Sequence, residues 1–430
     1  MVKFSHSLSG RAPKRRTLRV ITSLALVGSL ALAACGDDDS SSDGGSDDTT
    51  VDTAGPAPTG DPIKVHVAAP VDSATASYPN IQAAAEIYES YINDNGGIGG
   101  RPLEMTFCDS KADPNEAAAC ARAAVDDGAI AMVGGYDIDV SLLIEILQEN
   151  NTAWFGACCP VVAAEFSSPI AFNMGSVFSF NAGAAYKMVE DGCEAPAFVY
   201  GENGTQDYFI GQTKAAFEKL GYTNEVQYIT FPLTTSDFSP IAAKAADGTD
   251  CIHGFLQDIQ WIGLLGALKS IGVDQRLYGP QGNLNVKVAE SFPEETEGAV
   301  VINAFPNIAG PMWDTYRGAL ETYDAPDLDW NSLAGLGTWA AFEGFRKIVE
   351  QMIADGTEVT AANFVEAANA TSNLQMDGMV GDLDFTTPWA GEGGAFPRIF
   401  NRSVAYDIIS GGVLTPMDDQ TYDMSPYHAD

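Results

Sequence analysis

Positive charge and histidine are what this 430-residue chain has least of: 22 Lys+Arg stand against 58 Asp+Glu, a formal net charge of −36, with four histidines. Nucleic acid and anionic lipid head groups are excluded as partners, because a surface of this sign repels polyanions. Beyond residue 34 only His66, His253 and His428 remain, so general-base and zinc chemistry are poorly supplied. No Gly-x-Ser-x-Gly elbow, Gly-x-x-x-x-Gly-Lys loop or His-Glu-x-x-His pair occurs, and the Gly96 to Gly100 cluster fits neither dinucleotide nor phosphate spacing. The expectation is a protein without catalysis, metal or cofactor. Long apolar runs are also missing: the one from Val20 to Ala34 falls short of the ~20 residues that span a bilayer.

That run nevertheless gives an address. Lys14, Arg15, Arg16 and Arg19 precede it, and it ends in Leu32-Ala33-Ala34-Cys35-Gly36, so residues 1–34 read as a cleaved signal peptide. The Leu-Ala-Ala-Cys sequence resembles a bacterial lipoprotein box, which implies an acylated Cys35 holding the chain to the outer face of the cytoplasmic membrane. An ordinary secretory signal with an incidental cysteine is the alternative. Residues 35–60 carry seven aspartates and no basic residue, with almost nothing to bury, and read as a disordered, extended tether.

After the tether the composition is globular, with 46% apolar and 19% charged residues over the whole chain, and the length suggests two lobes. From Tyr91 to Ala119 the punctuation is dense. Ala84, Ile87, Tyr88, Tyr91 and Ile92 recur at helical spacing, and Asn95-Gly96-Gly97 supplies a left-handed cap. Pro102 to Phe107 reads as a strand; Asp113-Pro114-Asn115-Glu116 then gives an N-cap, a proline at the first helical position and a reciprocal Glu. Strands over 63–69, 102–107, 130–133 and 152–156 alternate with helices near 80–95, 114–127 and 139–150. A second series places strands at 197–200, 225–230, 251–256 and 277–278 between helices near 206–220, 238–247 and 259–271. A strand at 299–303, helices near 312–323, 332–354 and 360–370, and strand-like runs over 398–409 before Gly411-Gly412 complete the chain. Two βαβ series mean α/β architecture with two parallel, doubly wound sheets.

Asn93-x-x-Gly96-Gly97-Ile98-x-Gly100-Arg101, the following strand and Asp113-Pro114-x-x-Ala117 resemble the type I periplasmic solute-binding proteins, in particular the branched-chain amino acid (leucine-isoleucine-valine)-binding branch of ABC transporters. Ser236-Asp237-Phe238-Ser239 with Cys251 and Phe255, and Gly279-Pro280-Gln281-Gly282 after Ser270-Ile271-Gly272-Val273, extend the likeness over roughly residues 61 to 415. The resemblance implies two Rossmann-like lobes joined by a three-segment hinge, 61–177 plus 305–382 and 178–304 plus 383–430, with a ligand cleft between them. It further implies a monomer that passes a small polar solute, amino acid or amide-like, to an ABC permease. A ligand-sensing receptor without a transport role uses the same module and is the alternative.

Ligands of doubly wound sheets sit beyond the carboxyl ends of the strands. The loops there nominate Tyr78, Tyr136, Asp137, Asp139, Ser141, Ala157 and Cys158 in the first lobe, and Gln206, Tyr208, Gln257, Asp258 and Gln281 in the second. Asp139 and Asp258 serve equally well as helix caps, and Tyr78 and Tyr208 as packing. Gln281 stands where the resembling proteins carry a glutamate for the ligand's ammonium; Asp137, Asp139 and Ser141 replace a simple hydroxyl site, and Ala157-Cys158-Cys159-Pro160 replaces small and hydroxyl residues. These departures argue against a plain leucine-type ligand.

Six cysteines besides Cys35 allow 15 pairings. Cys108 ends a strand and Cys120 follows on the next helix, which suggests a local bridge; Cys193 and Cys251 precede neighbouring strands and form a second pair. Cys158 and Cys159 are either a vicinal disulfide or two reduced thiols. Asp258→Ala and Gln281→Ala are each expected to weaken solute binding by about tenfold or more, the ~1.4 kcal/mol of one good polar contact. Unchanged affinity of both variants in calorimetry would remove them from the site.

Overall fold

The computed structural model describes residues 57–73, 76–175, 177–202, 206–272 and 274–429, all within one compact unit running from Thr53 to Asp430. The signal segment, Cys35 and most of the tether lie outside the described residues.

The first sheet is built from β1 (Ile63–Ala69), β2 (Leu103–Asp109), β3 (Ala131–Val133), β4 (Ala153–Phe155) and β5 (Ala171–Phe172), in the order β2-β1-β3-β4-β5 with every pairing parallel. Its crossovers are α1 (Pro79–Asp94), α2 (Pro114–Asp127), α3 (Ser141–Glu149) and the short α4 (Ala163–Ser167). The expected punctuation holds with one change. Gly97 closes α1 at φ +73, its N–H on the Ile92 carbonyl, and a β-carbon there would overlap the Arg101 carbonyl. Asp113 caps α2 by accepting from the N–H groups of Asn115 (2.8 Å) and Glu116 (3.3 Å). Glu116 does not close the capping box, because Asp113 donates its own N–H to the Ser110 carbonyl instead.

From β5 the chain enters α5 (Val177–Glu190), which packs on the second sheet. That sheet holds β6 (Pro196–Glu202), β7 (Gln227–Pro232), β8 (Cys251–Phe255), β9 (Arg276–Pro280) and β10 (Val300–Asn303), linked through α6 (Gln206–Lys219), α7 (Ser239–Ala246), α8 (Asp258–Ile271) and α9 (Val286–Ser291). After β10 the chain returns to the first sheet as α10 (Asp314–Thr322), which packs on α1. There α11 (Leu333–Ala354) covers α1 and β3, and α12 (Ala361–Ala370) lies on β4. A third passage brings in β11 (Ser403–Ser410), antiparallel to β10, with β12 (Val413–Pro416) hairpinned to it and β13 (Tyr422–Asp423) alongside. The second sheet therefore runs β12-β11-β10-β9-β8-β6-β7. This is the two-lobed type I periplasmic binding protein architecture.

Strand alternation divides the core. On β6, Ala197 and Val199 face a cluster with α7 and α8, whereas Phe198 and Tyr200 join a larger cluster that continues through α5 into the first sheet. Phe166, Phe178 and Ile399, one from each side of the passages and one from the third passage, form a small aromatic cluster with Tyr208, Trp389 and Phe396 packed against it. All three disulfides are present: Cys108–Cys120, Cys193–Cys251 and the vicinal Cys158–Cys159.

A close approach joins the end of β4 to α11. Gly156 has φ +75, and a β-carbon there would overlap that of Ala341. Gly156→Ala combines overpacking with a disfavoured backbone, so a loss of about 3 kcal/mol is expected in urea unfolding. A loss below about 1 kcal/mol would mean that α11 moves aside freely.

Candidate functional site

The carboxyl ends of the first sheet carry Tyr78, Tyr136 and Asp137 on short loops. The rings of Tyr78 and Tyr136 meet edge to face at 4.8 Å; Tyr78 is half-buried and Tyr136 buried. Burial is the main cause that raises both phenols. The Asp258 charge adds to the effect on Tyr78, so this first-lobe ring lies within the field of the first turn of α8 in the second lobe. Asp137 is only 2% exposed; Oδ1 accepts from the Ile138 N–H (2.6 Å), and burial raises its carboxyl while the Ser110 hydroxyl beside it lowers it. Asp139 lies one residue before the N-cap of α3 and accepts from the N–H of Ser141 (3.0 Å), and Ser141 is exposed at the start of α3.

Ala157 and Cys158 are buried, with the Cys158 side chain wedged where Gly337 of α11 leaves room for it. They back the site rather than open onto it. The loop that follows is held by Glu165, whose carboxylate accepts from the N–H groups of Val161 (2.8 Å) and Val162 (3.2 Å) and from Trp154 Nε1 (3.0 Å). Burial pushes that carboxyl up to about 7 in spite of these three donors, and the Asp137 charge adds to the shift.

In the second lobe a cavity of about 140 Å³ opens at the carboxyl ends of β6, β7 and β8. The sequence-nominated Gln206 and Gln257 line it. So do Tyr200, Gly201, Leu233, Phe255 and Leu256 from the strand ends, Phe209 and Gln260 from α6 and α8, and Asn283 from the loop after β9. Gly201, Gln260 and Asn283 lie on the expected loops. The apolar liners escaped notice because they sit at the strand ends, on α6 for Phe209, or, for Leu233, on the loop after β7, which contributed no candidate. A larger cavity of about 390 Å³ lies at the opposite, amino ends of the strands, among Asp191, Asp250, Asp274 and Glu294. Doubly wound sheets do not present ligands there.

Three nominated residues have other partners. Tyr208 packs against Phe178 (4.8 Å) and Phe396 (5.1 Å) in the aromatic cluster between the passages. Asp258 Oδ2 is paired with Lys287 at 3.0 Å. Gln281 is buried: Oε1 accepts from the N–H groups of Ala304 (3.1 Å) and Phe305 (3.2 Å), and Nε2 donates to the carbonyls of Phe305 (3.3 Å) and Asn331 (3.5 Å). Both ends of its amide are spent on the second passage, so loss of Gln281 acts on the passage before it acts on any solute.

Two largely parallel sheets joined by three passages, with aromatic and amide residues gathered at their carboxyl ends, define a two-lobed binding protein. The model of the periplasmic binding protein family matches residues 62–393, and the chain belongs to that extracytoplasmic family. Its members are solute-binding proteins, several serving ABC transporters. A leucine-, isoleucine-, valine-, threonine- and alanine-binding protein of Pseudomonas aeruginosa is 37% identical over 339 residues, which is 76% of this chain and 89% of the relative. Two solved structures share the fold. A possible leucine/isoleucine/valine-binding protein from Rhodopirellula baltica has a TM-score of 0.69 at 14% identity, covering 84% of this chain and 97% of its own. A fatty acid ABC transporter substrate-binding protein from Thermomonospora curvata has a TM-score of 0.67 at 18% identity, covering 88% and 97%. Among the described residues no helix is long and apolar enough to cross a membrane.

An acid whose pKa is higher folded than unfolded stabilises the fold below its unfolded value and loses that contribution as pH rises through the folded one. For Glu165 the window runs from about 4.5 to about 7. Urea unfolding at both ends should show up to about 3 kcal/mol of decline that is missing in Glu165→Gln. Equal slopes in the two proteins would place the Glu165 carboxyl back in the ordinary range.

Proposed function

We propose that this protein is an extracytoplasmic solute-binding lipoprotein. It captures a small polar solute, an amino acid or an amide-like molecule, between two closing lobes and delivers it to the permease of an ABC importer. The observation that carries the reading is the cavity at the carboxyl ends of the second sheet, whose described lining holds no charged side chain, with Tyr78 of the first lobe in the field of Asp258 at its edge. The relative's amino acid ligands support the solute class.

The lobes of this reading are 61–177 with 305–382, and 178–304 with 383–430, and the three passages act as the hinge. The hydrogen bonds that Gln281 accepts from the Ala304 and Phe305 N–H groups of the second passage suit that role, since they tie the end of β9 to the segment about which the lobes turn. Acylation at Cys35, in Leu-Ala-Ala-Cys, tethers the monomer beside its permease. No chemistry on the solute is required.

A thermal-shift screen of the protein from Gly36 onward tests this reading, with amino acids, amides, polyamines, short peptides and small aromatic acids. A ligand at about 100 times its dissociation constant adds ~2.7 kcal/mol, a readily visible rise in midpoint. A folded, ligand-free protein that responds to nothing in the panel would overturn solute capture.

A further inference from the structure

The cavity in the second lobe has a consistent chemistry. Its deep wall is aromatic: Phe209 and Phe255 meet at 4.8 Å, and Tyr200 lies 6.2 Å from Phe255 with its hydroxyl already bonded to Asn181 and Thr213. At the rim Leu233 is 52% exposed, and Gln257, Gln260 and Asn283 offer neutral amides. No Asp, Glu, Lys or Arg is among the described lining residues. Such a wall stabilises an uncharged apolar group, and it offers a buried ion nothing to offset lost hydration.

The exposed apolar side chains tell the same story. Ile138 and Leu142 stand at the carboxyl end of the first sheet, and Leu233 and Ile259 at that of the second. They make up most of the large apolar side chains left exposed among the described residues. Folding alone gives no reason to gather them on these two faces, whereas an apolar solute at the mouth does.

Besides the exposed Ile138 and Leu142, the first lobe carries groups of negative character. The half-buried ring of Tyr78 meets the buried ring of Tyr136, and the buried carboxylate of Asp137, whose Oδ2 accepts no hydrogen bond, follows directly in the chain near Ser110. The charges acting on the two phenols are all carboxylates: Asp258 on Tyr78, Glu165 and Asp137 on Tyr136. The nearby cation, Lys287, is engaged with Asp258. Electron-rich ring faces in a negative field attract an ammonium and repel a carboxylate.

We propose that the cleft takes an amine with an aryl or branched-alkyl tail. Its ammonium lies against Tyr78 and Tyr136 beside Asp137, its uncharged tail fills the cavity walled by Phe209 and Phe255, and a carboxylate on the same molecule is dispensable. This rests on the solute-capture reading above and assigns the polarity of its site.

Calorimetric titration of the protein from Gly36 onward with four compounds tests the assignment. Both 2-phenylethylamine, which has ammonium and tail, and L-phenylalanine, which adds a carboxylate, are expected to bind. The compounds 3-phenylpropionate, lacking the ammonium, and ethanolamine, lacking the tail, are expected to bind about tenfold more weakly or worse. Leu233→Ala, an exposed position whose change should leave the unfolding midpoint in place, is expected to weaken 2-phenylethylamine about threefold or more and to leave ethanolamine unchanged. Equal or tighter binding of 3-phenylpropionate, or binding of L-phenylalanine without 2-phenylethylamine, overturns the proposal while solute capture stands. No binding by any of the four overturns it as well, and the broader thermal-shift screen then decides whether capture itself fails.

Discussion

Everything in the first lobe depends on the seating of α11. The helix arrives far downstream of the sheet it covers, and it reaches β3 and β4 only because Gly134 and Gly156 leave no side chain in the way; Thr338 then bonds the Gly134 carbonyl at 3.1 Å. Trp339 wedges between Tyr88 (4.8 Å) and Tyr91 (5.3 Å) of α1. One face of α11 thus fixes the first crossover helix, the strand ends and the buried side of Cys158 together. The second passage ends at α10 and the third begins after α12, so α11 lies in the middle of the stretch that joins them. A residue that loosened it would blur the site without touching a solute.

The passages are held by neutral amides more than by ion pairs, in a chain of formal charge −36. Gln281 spends its amide on Phe305, Ala304 and Asn331; Asn331 in turn accepts from the Ile308 N–H (2.7 Å). Asp407 of β11, buried and raised chiefly by burial, is met by the amide of Asn307 at 2.8 Å and by no basic residue. Amides satisfy buried backbone groups without the desolvation penalty of a salt bridge, and they do not draw in the many surface carboxylates by competition. In the proposed capture cycle this is also a hinge whose strength does not depend on ionic strength.

Legibility in the sequence followed the locality of the physics. Helix α1, its glycine closure, β2 and the capped α2 were readable because every determinant lies within a few residues of the structure it specifies. Several others were not, β5 and α5 among them. Strand β5 has two residues, too short for any alternation, and α5 is buried on nearly all sides from Val177 to Met188, so it carries no helical stripe. Among site candidates, position at a strand's carboxyl end was readable, but partnership was not. Asp258 finds Lys287, and Gln281 finds residues more than twenty positions away, and neither pairing leaves a mark on local sequence. The disulfides of Cys108 and Cys193 were readable, since the short crossover from β2 into α2 brings Cys120 near the first and the pairing of β6 with β8 brings Cys251 near the second.

Gln281 shows how a familiar position can change its work. A carboxylate there would accept from the Ala304 and Phe305 N–H groups but could donate nothing to the Phe305 and Asn331 carbonyls, and it would carry a buried charge against the passage. An amide serves all four groups and is thereby withdrawn from ligand contact. What remains beside it is different in kind: Asn283 Nδ2 and Gln257 Oε1 meet at 3.4 Å, a long bond between exposed groups. A bond of that length is readily exchanged for one to an entering molecule, whereas the buried set around Gln281 is not. The division of labour at the end of β9 follows: the glutamine holds the passage, and its neighbour two residues on is left free to turn towards the cleft.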